Sequence, residues 1–253
     1  MKFKVNSKST ITNSTIFNIV ENFSNTGKLF GDGKRNSIKL FEVENITINV
    51  KSFKIPNLIN KIVYKYFRKS KAQRSFEFAN HLIENGIGTP QPIAFLENFS
   101  LLGLKDSYYF SEHLNCDLTY RELVEVENYP DSENILRQFT RFSYLLHQKG
   151  IEFKDHSPGN TLIIQSKKGE YDFYLVDLNR MEFHTTMPFE LRMRNLCRLT
   201  PHKEMVAVMS NEYAKISGES EEKIFNTLWK MTADFQYRYY RKKRIKKKLK
   251  FWK

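Results

Sequence analysis

Two acids and an amide stand out by type and spacing. Phe153-Lys154-Asp155-His156-Ser157-Pro158-Gly159-Asn160 sets an aspartate and an asparagine five positions apart, after an apolar pattern of helical period. Further on, Tyr174-Leu175-Val176-Asp177-Leu178-Asn179-Arg180 delivers a second aspartate at the end of an apolar strand. Phosphoryl transfer calls for this set of groups. One carboxylate orients an acceptor hydroxyl and takes its proton, while an amide oxygen and a second carboxylate hold Mg²⁺ against a triphosphate. Pro158-Gly159 lets the chain turn between the first two. Singly, each group has a plainer explanation: Asp-x-x-x-x-Asn also arises as a helix cap or Asx turn, and Val-Asp is an ordinary strand end. The ordered set points to chemistry.

The elements that must position these groups follow from periodicity. Residues 37–43 and 46–53 alternate as strands, after the polar turn Gly31-Asp32-Gly33-Lys34-Arg35-Asn36. A basic helical stretch is expected from Pro56, and residues 75–82 continue as helix, with Phe76, Ala79 and Leu82 on one face. Gly86, Gly88, Pro90 and Pro92 stop it. Two more strands are expected at 93–96 and 107–111. A helix is expected at 135–147, then a strand–turn–strand unit, 161–164 and 173–176, around Lys167-Lys168-Gly169-Glu170. From Pro188 the chain reads as helices. A strand-rich front half with one helix, then a helical back half with one hairpin, is an α+β arrangement of two lobes.

The catalytic-loop and metal segments resemble those of protein-kinase-like enzymes. The lipopolysaccharide core kinases, which phosphorylate 3-deoxy-octulosonic acid (Kdo) or heptose, are the nearest likeness; aminoglycoside phosphotransferases carry similar loops. The resemblance implies a bilobal protein-kinase-like fold, with a small strand-rich N-lobe at 1–113, a mostly helical C-lobe at 114–237, and a basic amphipathic tail at 238–253. It implies ATP and Mg²⁺ as cofactors, Asp155 as the catalytic aspartate, and Asn160 and Asp177 as the metal ligands. Lys51 matches the strand lysine that contacts the nucleotide phosphates. Glu77, on the following helix, matches the glutamate that pairs with that lysine. Lys54 competes for the first role, but alternation puts it on the opposite face. Residues 107–114 match the hinge that meets adenine. Lys34 and Arg35 either contact phosphate or form a polar turn, because Gly31 and Gly33 do not complete G-x-G-x-x-G. His156 and Ser157 either touch the γ-phosphate or acceptor or serve as loop filler. Phe153-Lys154 stands for the usual His-Arg, and Leu178-Asn179 for the usual Phe-Gly. No Ala-Pro-Glu follows Asp177, which argues against a regulated protein kinase.

The net charge is +13, yet residues 238–253 hold ten Lys or Arg and no acid, leaving +3 for the rest. If that tail is helical, Tyr237, Ile245, Leu249 and Trp252 share a face ringed by cations, a pattern for an anionic membrane surface. Each such cation contributes about 1 kcal/mol near that surface. Lys61, Lys65, Arg68, Lys69, Lys71 and Arg74 form a candidate second basic face. The partners this suggests are an anionic glycolipid acceptor, Kdo–lipid A, and the inner face of the cytoplasmic membrane. A solvated end or nucleic-acid contact would produce similar composition, but no nucleic-acid fold signature accompanies it. No signal peptide or spanning stretch is visible, and Cys116 and Cys197 read as free thiols. The expected location is cytoplasmic and peripheral on the inner membrane. Two rivals stay open: a kinase of a small molecule or protein, and a degenerate kinase fold acting as a binding module.

Overall fold

The computed structural model describes residues 1–31, 36–54, 63–64 and 68–250, the last three in backbone only. The chain divides into two compact units. One comprises residues 1–115 with 177–179, the other residues 116–176 with 180–253.

The first unit is built on a six-stranded antiparallel sheet. Its strands are β1 (Lys2–Val5), β2 (Lys28–Phe30), β3 (Ser37–Val43), β4 (Ile46–Ser52), β5 (Pro92–Ser100) and β6 (Gly103–Glu112), in the order β1-β5-β6-β4-β3-β2. One face packs on α1 (Asn13–Glu21), where Ile16 and Ile19 meet Ile48, Val50, Ala94, Leu96 and Phe110. Strand alternation sends the neighbouring residues to the other face. There Phe53, Phe95 and Tyr109 pack on Ala72 and Phe76 of α2 (Lys71–Glu84). Lys51 pairs with Tyr109 in the β4–β6 register, so it belongs to the α2 face.

The strands expected at 37–43 and 46–53 lie at 37–43 and 46–52, and the sequence pattern alone does not show β1, α1 and β2. The α1 sequence, Asn-Ser-Thr-Ile-Phe-Asn-Ile-Val-Glu, is poor in helix formers. Two observations explain why it is nonetheless helical: Thr12 caps the start by accepting from Thr15 N, and Ile16 and Ile19 are buried. Burying two Ile side chains contributes about 3–6 kcal/mol, enough to offset several residues at about 0.5 kcal/mol each. The helix expected from Pro56 falls on residues 55–62, outside the described ones.

The second unit has two small ladders and a helical body. β7 (Leu118–Thr119) pairs with β9 (Thr161–Lys167), which pairs with β10 (Glu170–Leu175) across a turn in which Gly169 has φ +76°. β8 (Ile151–Phe153) pairs with β11 (Met181–Phe183). The helices are α3 (Tyr120–Glu125), α4 (Ser132–Gln148), α5 (Phe189–Leu196), α6 (Lys203–Ser217) and α7 (Glu221–Lys250). Their core joins Leu136 and Phe139 of α4, Met193 of α5, Met209 and Tyr213 of α6, and Leu228 of α7. Residues 238–250, expected as a separate tail, continue α7 without a break. The helix is exposed from Tyr237 to Lys247. Among the described residues no helix is long and apolar enough to cross a membrane.

The β8–β11 ladder carries the loop of Asp155, and Gly150 is where it closes. His184 N donates to Gly150 O at 2.8 Å. Gly150 has φ +67°, and a Cβ there would sit 1.8 Å from the His184 carbonyl oxygen. Neither chain can give way without breaking the ladder. We expect Gly150→Ala to lower stability by at least about 2 kcal/mol, from the left-handed backbone plus the overlap. Urea unfolding measures this, and an unchanged midpoint would contradict the described approach of the two chains.

Candidate functional site

In the second unit, β8 ends on buried Phe153 and the chain turns at once. Lys154 N donates to Arg180 O (3.0 Å), and His156 N to Phe153 O (3.0 Å). These bonds fix Asp155, whose Oδ1 accepts from the Arg180 guanidinium at 2.8 Å. A 3₁₀ turn at Pro158–Asn160 then brings Asn160 back. Its Nδ2 donates to the Asp155 carbonyl at 2.8 Å, while its own carbonyl accepts from Val176 N at 3.0 Å. The structure thus brings together Asp155 and Asn160, two residues chosen from spacing. With Nδ2 committed, the amide presents Oδ1, the atom a hard cation takes. A Cβ on Gly159 would lie 2.5 Å from the Arg121 guanidinium, so a larger residue would make that exposed side chain move aside.

In the first unit, Lys51 Nζ donates to Asp177 Oδ1 at 2.7 Å. Asn179 Nδ2 donates to the same oxygen, also at 2.7 Å. Asp177 adopts φ +59°, a left-handed conformation that Asp tolerates better than most residues. The Lys51 side chain is 13% exposed and that of Asp177 37%. The Lys51 ammonium also lies 5.4 Å from the centre of the Phe53 ring. Carboxylate and amide oxygens are the donor set Mg²⁺ prefers, so Asp177 and Asn160 suit it chemically.

Two expectations need correction, and one open choice is decided. Lys51 was expected to be set by Glu77, but its carboxylate partner is Asp177. Glu77 instead accepts from Lys69 (2.8 Å) and from Gln73 Nε2 (2.8 Å). Lys51 reaches Asp177 in the segment after β10, and Lys69, just before α2, is bonded to Glu77. His156 is not available to a phosphate: it is 1% exposed, packed against Phe139 and Phe153 with ring centres 5.5 and 5.7 Å away. The hinge expected at 107–114 is shorter, since residues 107–112 are still β6 and the unit boundary falls after Asn115. Lys34 and Arg35 lie outside the described residues, as do Lys61, Lys65 and Trp252.

Two further residues belong with this set. Arg180 holds Asp155; an Arg shortly after an acid carries no signal in sequence until β11 folds back on β8. Lys71, in the first turn of α2, has its ammonium destabilised chiefly by burial and by Arg74, Lys51 and Arg68, while Asp177 works in the opposite direction. Lys51 and Lys71 are thus two cations around one carboxylate. Elsewhere, ligand-type atoms of Glu152, Glu182 and His184 lie within 4.8 Å of one another. Lys154 pairs with Glu182, and the His184 ring is hydrogen-bonded to Glu152, so the protein itself answers both acids.

His156 gives the loop a measurable pH response. Neither ring nitrogen has a hydrogen-bond partner among the described residues. Burial pushes its pKa down to about 4, against the pull of the Asn195 side chain. A depressed pKa means the folded state resists protonation. The stability contribution is whole above the unfolded value near 6.5 and is lost as pH falls toward 4. From pH 7.5 to pH 5 this one group should remove about 2 kcal/mol. His156→Phe should lack that part of the acid loss and stay within about 1 kcal/mol of the parent at pH 7.5. Urea titrations at the two pH values check it, and equal acid sensitivity in both proteins would refute the assignment.

No protein-family model matches the sequence, and no curated protein matches it. Among solved structures, the chain is similar to WaaP in complex with acyl carrier protein, with a TM-score of 0.65 at 16% identity. That likeness covers 94% of this chain and 98% of that one. A MAP kinase, LmaMPK10 from Leishmania major, matches at a TM-score of 0.47 and 16% identity, over 84% of this chain and 64% of that one. The chain therefore has the α+β, protein-kinase-like fold expected from its loops, strand-rich in the first unit and mostly helical in the second.

Proposed function

We propose that the protein is a phosphotransferase that moves the γ-phosphate of ATP to a hydroxyl of the lipopolysaccharide inner core, with Kdo on lipid A as acceptor. The observation that carries the kinase reading is the Lys51–Asp177 pair, a bond between residues 126 positions apart. Both were selected by type and spacing, and local packing alone gives a strand lysine no reason to meet that aspartate.

Asp155 orients the acceptor hydroxyl through the carboxylate oxygen that Arg180 leaves and takes its proton as the bond to phosphorus forms. Lys51 aligns the nucleotide phosphates, and Lys71 adds a second positive charge for them. Asn160 and Asp177 are the residues that would hold Mg²⁺, which neutralises triphosphate charge when bound. Catalysis rests on positioning and charge compensation. The glycolipid assignment is supported by the resemblance of the Asp155 and Asp177 segments to those of lipopolysaccharide core kinases and by α7, whose exposed end presents Arg241, Lys242, Lys243, Arg244, Lys246 and Lys247 to solvent. Such an end suits the anionic inner face of a membrane, where the protein would be peripheral.

The deciding experiment is phosphate transfer from Mg-ATP to Kdo–lipid A, read by mass spectrometry. Asp155→Asn should lower transfer on the order of 10³-fold while Mg-ATP still binds. Lys51→Met and Asp177→Asn should weaken nucleotide binding itself, seen by calorimetry. A folded protein that does not bind Mg-ATP would instead be a degenerate kinase fold. Binding without transfer would keep the kinase and remove this acceptor.

Replacing Lys242, Lys243, Lys246 and Lys247 by Gln tests the membrane. Partition onto anionic vesicles should fall at least about tenfold, at about 1 kcal/mol per engaged charge, with little change in nucleotide affinity. Full activity of this variant on glycolipid in vesicles would point to a soluble acceptor.

A further inference from the structure

The second unit contains a pocket of about 580 Å³ beside Asp155, and its charge is one-sided. Five cations line it: Lys154, Arg180, Arg194, Arg198 and Arg238, against only two acids, Glu152 and Asp234. They come from the Asp155 loop, the segment after β10, α5 with the residues just beyond it, and α7. Met231, Asp234, Phe235 and Arg238 of α7 recur at three- and four-residue spacing, so one face of that helix forms a wall. The basic run of α7 therefore starts at this pocket.

Two of the five are paired with acids, Lys154 with Glu182 and Arg180 with Asp155; among the described residues the other three are not. Arg198 donates to the Lys154 carbonyl at 3.1 Å and stacks over Phe235 at 5.3 Å. Arg238 donates to the Asp234 carbonyl at 3.1 Å. Among the described residues neither they nor Arg194 have a carboxylate partner. Backbone carbonyls thus engage the guanidinium groups of Arg198 and Arg238 while their charge stays unpaired. The thiol of Cys197, on the pocket wall, senses this: burial raises its pKa, while Arg198, Arg238 and Arg194 all pull it back down. Converging, positioned, unneutralised guanidinium groups are what a carboxylate or phosphate needs for bidentate recognition.

We infer that this pocket is the acceptor subsite, and that it binds an acidic sugar through a carboxylate or phosphate group. The inference rests on the reading of Asp155 as the catalytic aspartate. Arg180 makes the connection. A guanidinium has five N–H donors, and one of them is engaged by Asp155 Oδ1. The same side chain lines the pocket, so an anion bound there is separated from the catalytic carboxylate by a single residue. An acceptor held by its acid group would present a neighbouring hydroxyl to Asp155.

The test is calorimetry on the full chain with free Kdo, glucose 6-phosphate and glucose as probes, and Mg-ATP in parallel. The two acids separate a carboxylate from a phosphate source, and glucose controls for charge. One of the acids should bind, with affinity falling as salt rises. Arg194→Gln/Arg198→Gln should weaken it at least tenfold with Mg-ATP affinity unchanged. Arg238→Gln, on an exposed helical position, should do the same without risk to the fold. In transfer assays the variants should raise KM for the acceptor and leave KM for ATP alone. If neither acid binds, or the variants bind it equally well, while Mg-ATP still binds, the subsite is overturned and the kinase reading survives. If Mg-ATP does not bind at all, the reading beneath it falls, and an acid that binds is then no phosphoryl acceptor.

Discussion

Asp177 sits in a left-handed backbone conformation that few L-residues favour, and two donors on one carboxylate oxygen hold its side chain there. Lys51 reaches it from β4 and Asn179 from two residues on. The consequence runs through the first unit. Residues 177–179 lie far along the chain yet belong with the sheet, and α2 starts with Lys71 close enough to feel the same charge. A positively charged neighbourhood around one carboxylate is costly to assemble unless an anion uses it. The nucleotide proposed above would supply one.

The second unit solves a different problem. A catalytic loop must leave its carboxylate accessible while keeping its backbone rigid. Here backbone bonds tie the loop around Asp155 to itself and to the segment that follows: Lys154 to Arg180, His156 to Phe153, Asn160 to Ser157 and Val176. His156 acts as a hydrophobic plug under the loop, despite its polarity, because it is enclosed by Phe139 and Phe153. Its burial is tolerable as a neutral ring. The side chains left over are cations, and they gather on the side of Asp155 where an acceptor would lie.

The local patterns were legible where each residue's environment is repeated along the chain. The alternation of β3 and β4, the apolar period of α4 and the β9–β10 hairpin all appear in the sequence because each buries a regular face. The α1 helix did not, because Asn, Thr and Val carry no helical preference; Ile16 and Ile19 become helical only when the sheet exists to cover them. Asp155 and Asn160 were legible together because one short turn joins them.

What the sequence determined by itself was the inventory: a loop with an acid and an amide at fixed spacing, an acid after an apolar strand, and a basic C-terminal run. Tertiary structure decided who meets whom. The fold, not residue type, gave Lys51 to Asp177 and left Glu77 to Lys69, since any lysine can pair with any acid and only distance selects. It turned His156 inward and made residues 238–250 the continuation of a helix whose face lines the cationic pocket. Arg194, Arg198 and Arg238 look like ordinary surface charges in the sequence. They act as a group only because α5 packs on β8 and α7 packs on α5, and electrostatics depends on separation in space rather than along the chain.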